Sequence, residues 1–444
     1  MNATLVRARY VLTAAEPAVI TDGAVRILGD RIDAVGTWKD LRARFPEDGV
    51  AGGPNDVVTP GFVNTHGHFS EALITGIAKR YTLWEWIDAL IGPVAPHLDD
   101  EAAYVGTLIG GMQMLRSGIT VANDMFVCDP RQDRPVTPGV VRALDDLGLR
   151  GVVSFGAGDV RGTSIPVILE EHAALAEAAA ASRLSRFRVG IAALGAQSEA
   201  LFAGSVELAV SGGHDGVHIH LQEVREEVTA IRARYGVTPI GRCARLGLFA
   251  APTVAAHCVW VDADDHELLA EHGVGVAHNP VSNMILASGV CPVPELRALG
   301  IAVGIGVDGP ASNDRQDMLE AIKTTVLLQR VDRLQATAFS AGEAFAMATI
   351  DGARSLGLDH ELGSLIPGKA ADLVVFDGEA AALANIHDPF GAIVYCAGPT
   401  EVKEVWVAGT RSVEGGRIVH VDPVEVVERS RPIARRILRA AGLG

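Results

Sequence analysis

The sequence predicts an α/β protein: a (β/α)8 TIM-like barrel carrying a small β-sandwich built from both chain ends. Three observations point there. Eight short apolar runs recur between residues 60 and 306, separated by helix-length amphipathic segments. Strand-like alternation occurs only outside that region, at the two ends. Residues of metal-ligand type gather at the C-terminal ends of the apolar runs, where a barrel of this kind places its active site. An open doubly wound sheet is the runner-up, but no G-x-G-x-x-G follows a strand and opens a helix.

Taken in order, residues 4–12 and 24–36 alternate apolar and polar positions, with the turn signal Gly29-Asp30-Arg31 between 25–28 and 32–35. These form the N-terminal part of the sandwich, residues 1–59. The barrel spans 60–362. Its strands are Phe62-Val63 and the runs 119–122, 151–155, 188–192, 216–220, 253–256, 275–277 and 302–306, with helices over 168–183, 222–235, 262–272 and 316–331. Residues 363–422 complete the sandwich, entering at 363–377 and ending in a hairpin of 402–408 with 417–421 around Gly409. Residues 423–444 hold a C-terminal surface helix.

Composition bounds the function. With 444 residues, 48% apolar and 21% charged, the chain can bury a large core. A net charge of −16 argues against nucleic acid and anionic membranes as partners. There is no signal core and no apolar run long enough to span a bilayer, and the five dispersed cysteines fit a cytoplasmic protein with reduced thiols.

The chemistry lies at strand ends. Pro60-Gly61-Phe62-Val63-Asn64-Thr65-His66-Gly67-His68 reads as a strand ending in His-x-His, which puts two imidazoles on one side. The fifth run ends in His220, the sixth in His257 and the eighth in Asp308. An aspartate at a buried strand end is costly unless paired or metal-bound. His66, His68, His220 and Asp308 supply three imidazoles and a carboxylate, a set suited to one divalent ion: zinc first, iron second. Glu223, just past His220, can reach into the site from the turn. His218 reads as a core histidine, and His97, His172, His266, His272, His360 and His420 as solvated. No lysine lies on the fourth strand to bridge a second metal.

These stretches, with His220-Leu221-Gln222-Glu223, Ala256-His257-Cys258, His278-Asn279-Pro280 and Gly306-Val307-Asp308-Gly309, resemble the amidohydrolase superfamily. The nearest branch is the heterocyclic aminohydrolases: cytosine, guanine and 8-oxoguanine deaminases, s-triazine hydrolases, and S-adenosylhomocysteine/methylthioadenosine deaminases. The resemblance implies His66, His68, His220 and Asp308 as metal ligands, and Glu223 as the proton-shuttling acid/base. It also implies His257 beside the attacking water, Asp308 in proton transfer, Trp86 lining the substrate pocket, and a homo-oligomer. The implied activity is hydrolytic deamination of an amino-substituted nitrogen heterocycle by metal-bound hydroxide, with release of ammonia. Where adenosylhomocysteine-type deaminases carry a histidine after the fourth strand, this chain has Leu194, in Ala193-Leu194-Gly195-Ala196. That departure tilts the expected substrate toward a free base, pterin or triazine-like ring. The alternatives are an adenosine/S-adenosylhomocysteine-type deaminase, removal of chloride or alkylamine from a triazine, amide or imide ring opening, and a non-catalytic metal-binding protein.

Overall fold

The structure is a computed structural model that describes residues 3–130, 133–156 and 158–444. Its central part is α/β with parallel strands in two ladders. One runs Phe62–Gly67, Ile119–Phe126, Arg150–Phe155, Ser185–Phe187; the other runs Val189–Ile191, Val217–Leu221, Thr253–His257, Gly275–His278, Val303–Ile305. The ladders meet at Arg188, whose N–H bonds Val153 O at 2.9 Å while the next N–H bonds Gly216 O. The first strand and the end of the last touch through one parallel bridge, Gly67 to Asp308, and the Asp308 N–H bonds His66 O at 3.0 Å. No continuous ladder joins them among the described residues.

The strands are buried on both faces, which explains why they read as apolar runs rather than alternating ones. Val63, Val121, Val152, Val254 and Ala277 pack together, one from each of five strands, on the N-terminal side of the polar cluster described below. The outer faces pack on helices such as Asp100–Arg116, Ile165–Ala181 and Met318–Arg333.

Among the described residues both chain ends contribute to one nine-stranded sheet. Val57–Pro60 pairs with Ala3–Leu12 on one side and Leu373–Phe376 on the other, so the termini are joined at its centre. Around Gly409, Val402–Val407 pairs with Thr410–Glu414, and Arg417–Ile418 adds a further short strand. The expected pairing of 402–408 with 417–421 is therefore corrected: the strand at 410–414 lies between them. Gly409 has φ of 72°, which suits a two-residue turn. The helix Pro423–Ala440 buries Val426, Ile433 and Ile437, and Arg436 pairs with Asp99 at 2.8 Å. Among the described residues no helix is long and apolar enough to cross a membrane.

Candidate active site

The strand Phe62–Gly67 carries His66, and His68 follows one residue beyond it. Its register against Ile119–Phe126 shifts between Asn64 and Gly67, so the strand bulges where the histidines begin. Both rings turn toward the same point. Asp308 Oδ1 lies 3.1 Å from His66 Nε2 and 3.3 Å from His68 Nε2. His220 Nε2, from Val217–Leu221, lies 3.1 Å from His68 Nε2. His257 closes another side, its ring centroid 5.4 Å from those of His66 and His220.

The backbone is bent to achieve this. Asp308 (φ 56°), His257 (φ 74°) and Gln222 (φ 55°) adopt left-handed conformations that side-chain-bearing residues avoid, and each marks a strand end at the cluster. Such strain concentrates where the surrounding fold over-determines a side chain's aim.

The donor set fits a divalent ion. Two ligand atoms each about 2.0–2.1 Å from one ion stand about 3.0–3.4 Å apart at common coordination angles. The separations above, 3.1 and 3.3 Å, fall in that interval. His66 Nε2 is fully buried and has no hydrogen-bond partner, although Asp308 is close. An orphaned imidazole nitrogen facing a carboxylate fits a metal-ligand position. The other nitrogens are fixed from behind: His66 Nδ1 is 2.8 Å from His218 Nε2, and His68 Nδ1 donates to Met125 O at 2.7 Å. These contacts leave the Nε2 atoms directed at the centre.

Burial lowers His66 to about 4 and pulls His220 well below the usual imidazole range, so both are neutral and able to ligate. Burial pushes the Asp308 carboxyl up, but His66, His257 and His68 outweigh it and hold it well below the usual carboxylate range. Glu223 is raised by burial; it accepts from Ser288 Oγ at 2.9 Å and sits 3.6 Å from His257 Nε2. The Asn283 side chain meets His257 Nδ1 at 2.8 Å.

The cluster opens into a cavity of about 590 Å³ lined by His68, Glu223, His257, Asp308 and Trp86 among others. Trp86 is 5% exposed, and its buried indole N–H has no partner. On the fourth-strand side the lining comes from Ala192, Ala193, Gly195 and Ala196, whereas Leu194 is buried without lining the cavity.

The chain matches the amidohydrolase family over residues 57–412, and an imidazolonepropionase-like composite domain over residues 23–47. The chain belongs to the amidohydrolase family. It is 37% identical to a 5-methylthioadenosine/S-adenosylhomocysteine deaminase of Desulforudis audaxviator, over 98% of this chain and 99% of that one. It is 35% identical to a 5'-deoxyadenosine deaminase of Methanopyrus kandleri, over 94% and 96%. Among solved structures, an adenosine deaminase from Xanthomonas campestris with bound zinc shares 30% identity and a TM-score of 0.90, covering 98% of each chain. An atrazine chlorohydrolase from Arthrobacter aurescens superposes with a TM-score of 0.87 at 22% identity, over 97% of this chain and 100% of that one, a likeness of fold alone. This amidohydrolase is accordingly a hydrolase of C–N bonds.

Several residues at this amidohydrolase's site escape a sequence reading. His218 is in the core, as its strand position suggests, yet it contacts His66 directly; the His-x-His spacing with His220 was the available signal. Glu71 and Glu227 also line the cavity, raised by burial to about 7 and about 8, and neither stands in a recognisable motif. His172, expected to be solvated, is 1% exposed between Phe155 and Phe187 with neither ring nitrogen bonded. Its helix turns it inward, which local polarity does not reveal.

Proposed function

We propose that this amidohydrolase is a metal-dependent deaminase of an adenosine-type nucleoside modified at its 5' position, converting the 6-amino group to a 6-oxo group with release of ammonia. The observation that carries the reading is whole-length similarity to deaminases named for such nucleosides, joined to a site in which Glu223 stands beside His257. It displaces the free-base expectation that rested on Leu194. That residue does not line the cavity, and its small neighbours leave space on that side for a sugar. The cavity volume is within the range of about 300–1,000 Å³ typical of small-molecule sites, and a bare purine would leave much of it empty.

His66, His68, His220 and Asp308 would hold the ion, with zinc as the candidate because a zinc-bound relative shares the fold at 30% identity. When bound, such an ion supplies Lewis acidity that lowers the pKa of water from 15.7 toward about 7. His257 and Asp308 orient the attacking water, and Asp308 receives its proton. Glu223 delivers a proton to the ring nitrogen next to the attacked carbon, so that carbon can carry both oxygen and nitrogen. Asp308 then passes the proton it took from water to the amine, the C–N bond breaks with its electron pair going to nitrogen and ammonia leaves, and the new hydroxyl returns its proton to Glu223 as it becomes the 6-oxo group. Trp86 offers an aromatic face to the ring.

In the same reading the parallel strands, with Ser185–Phe187 and Val189–Ile191 counted as one strand interrupted at Arg188, make eight and close a barrel over 60–362, residues 1–59 and 363–422 form a sandwich, and 423–444 add the terminal helix. The enzyme works as a cytoplasmic homo-oligomer. The test is ammonia release from 5'-deoxyadenosine, methylthioadenosine and S-adenosylhomocysteine, against adenine, guanine, cytosine, a pterin and an aminotriazine. Faster turnover of any free base or triazine than of every nucleoside would sink the nucleoside reading.

A further inference from the structure

Of the cavity-wall acids that are not exposed, the proton transfers above leave two without a role, Glu71 and Glu227, and Glu71 is the more buried. Glu71 ends the turn Phe69–Glu71, three residues after His68; it is 5% exposed and lines the cavity beside His68, Asp308 and Ser312. Its Oε2 accepts the Ala311 N–H at 3.0 Å, while the Ser312 N–H bonds Gly309 O at 3.1 Å. The loop is shaped around it: a Cβ on Gly309 would collide with the Glu71 carboxylate. His68 and Asp308 are its titratable neighbours, whereas Glu223 sits against His257 and Ser288. Glu71 therefore occupies the Asp308 flank of the cavity, the side from which the amine is protonated in the reading above.

A buried carboxyl is costly unless its acceptors are used. The Ala311 N–H does not exhaust its roughly four lone-pair sites. We propose that Glu71 accepts a hydrogen bond from the exocyclic amino group of the substrate and so selects an amine over leaving groups that lack an N–H. It is a specificity-determining residue. It transfers no proton, and Asp308 still serves the departing ammonia. A site built to bond an N–H disfavours analogues without one because its own polar group is then left unpaired.

This inference rests on the nucleoside deaminase reading, and the experiment separates the two. Steady-state kcat/KM is measured for the metal-loaded enzyme with a 6-amino nucleoside and its 6-chloro analogue, in wild type, Glu71→Leu and Glu71→Gln, with metal content and melting temperature recorded. E71L should lose about tenfold or more on the amine and change less than about threefold on the chloride. E71Q keeps a neutral acceptor and should fall between, because a charge-assisted bond is about twice as strong as a neutral one. Equal losses on both substrates, or no loss on the amine, would overturn the assignment. If E71L is not recovered folded, an amine-to-chloride ratio in E71Q equal to that of wild type overturns it. A wild type that releases no ammonia from nucleosides removes the functional reading, and this inference with it. Wild-type turnover with an unchanged ratio in E71L removes only the inference.

Discussion

Replacing Glu223 by glutamine isolates proton delivery from metal binding. Glu223 is 4% exposed, so the amide must occupy the same buried space, which it can do with almost no change in volume. The amide carbonyl keeps an acceptor for the Ser288 hydroxyl, now 2.9 Å from Glu223 Oε1. Glu223 is also outside the two groups of converging ligand atoms, which consist of His66, His220 and His257, and of His66, His68 and Asp308. Metal content should therefore stay at the wild-type stoichiometry by elemental analysis. What disappears is the transferable proton. General acid–base catalysis contributes about 10²–10⁴-fold, or about 3–5 kcal/mol at 1.36 kcal/mol per decade. A loss of that size in kcat for ammonia release, with KM little changed, is the expected result. Asp308→Asn is the contrast, since it should lose metal and turnover together. Full metal content in E223Q with a rate within about threefold of wild type would refute the role and the proton path built on it.

His218 Nε2 is 2.8 Å from His66 Nδ1 and sets which nitrogen of His66 faces the centre. His218→Leu should weaken metal affinity by about 10–100-fold in a chelator competition, and an unchanged affinity would leave the contact without function. His172, lowered by burial from 6.5 to about 4, gives a pH prediction. Its folded-state pKa lies below its unfolded one, so the unfolded chain binds more protons; the stability is full above about 6.5 and is lost as pH falls toward about 4. Between pH 7.5 and 5 the loss is about 2 kcal/mol. His172→Phe should shrink the pH-dependent stability difference by about that amount in urea unfolding. Ligand protonation cancels between the two proteins, so identical pH dependence would contradict the burial argument.

The linear chain was sufficient for the order of strands and helices between residues 60 and 306, although it missed the short strand Thr410–Glu414. Apolar runs alternating with amphipathic segments showed parallel strands with helices between them, because strands covered on both faces cannot alternate. His66, His68, His220, His257 and Asp308 were visible as polar residues closing apolar runs, where burial without partners is too costly to be incidental. Contacts between distant segments were beyond its reach. Only the folded chain sets Asp308 Oδ1 against two histidine rings at 3.1 and 3.3 Å, turns His218 onto His66, and seats Glu71 in a loop 240 residues further on. It also decided that Leu194 is turned into the core and does not line the cavity. Periodicity records which face a residue occupies on its own strand or helix; which residues meet across the strand ends is fixed by packing and register, and these exist only in three dimensions.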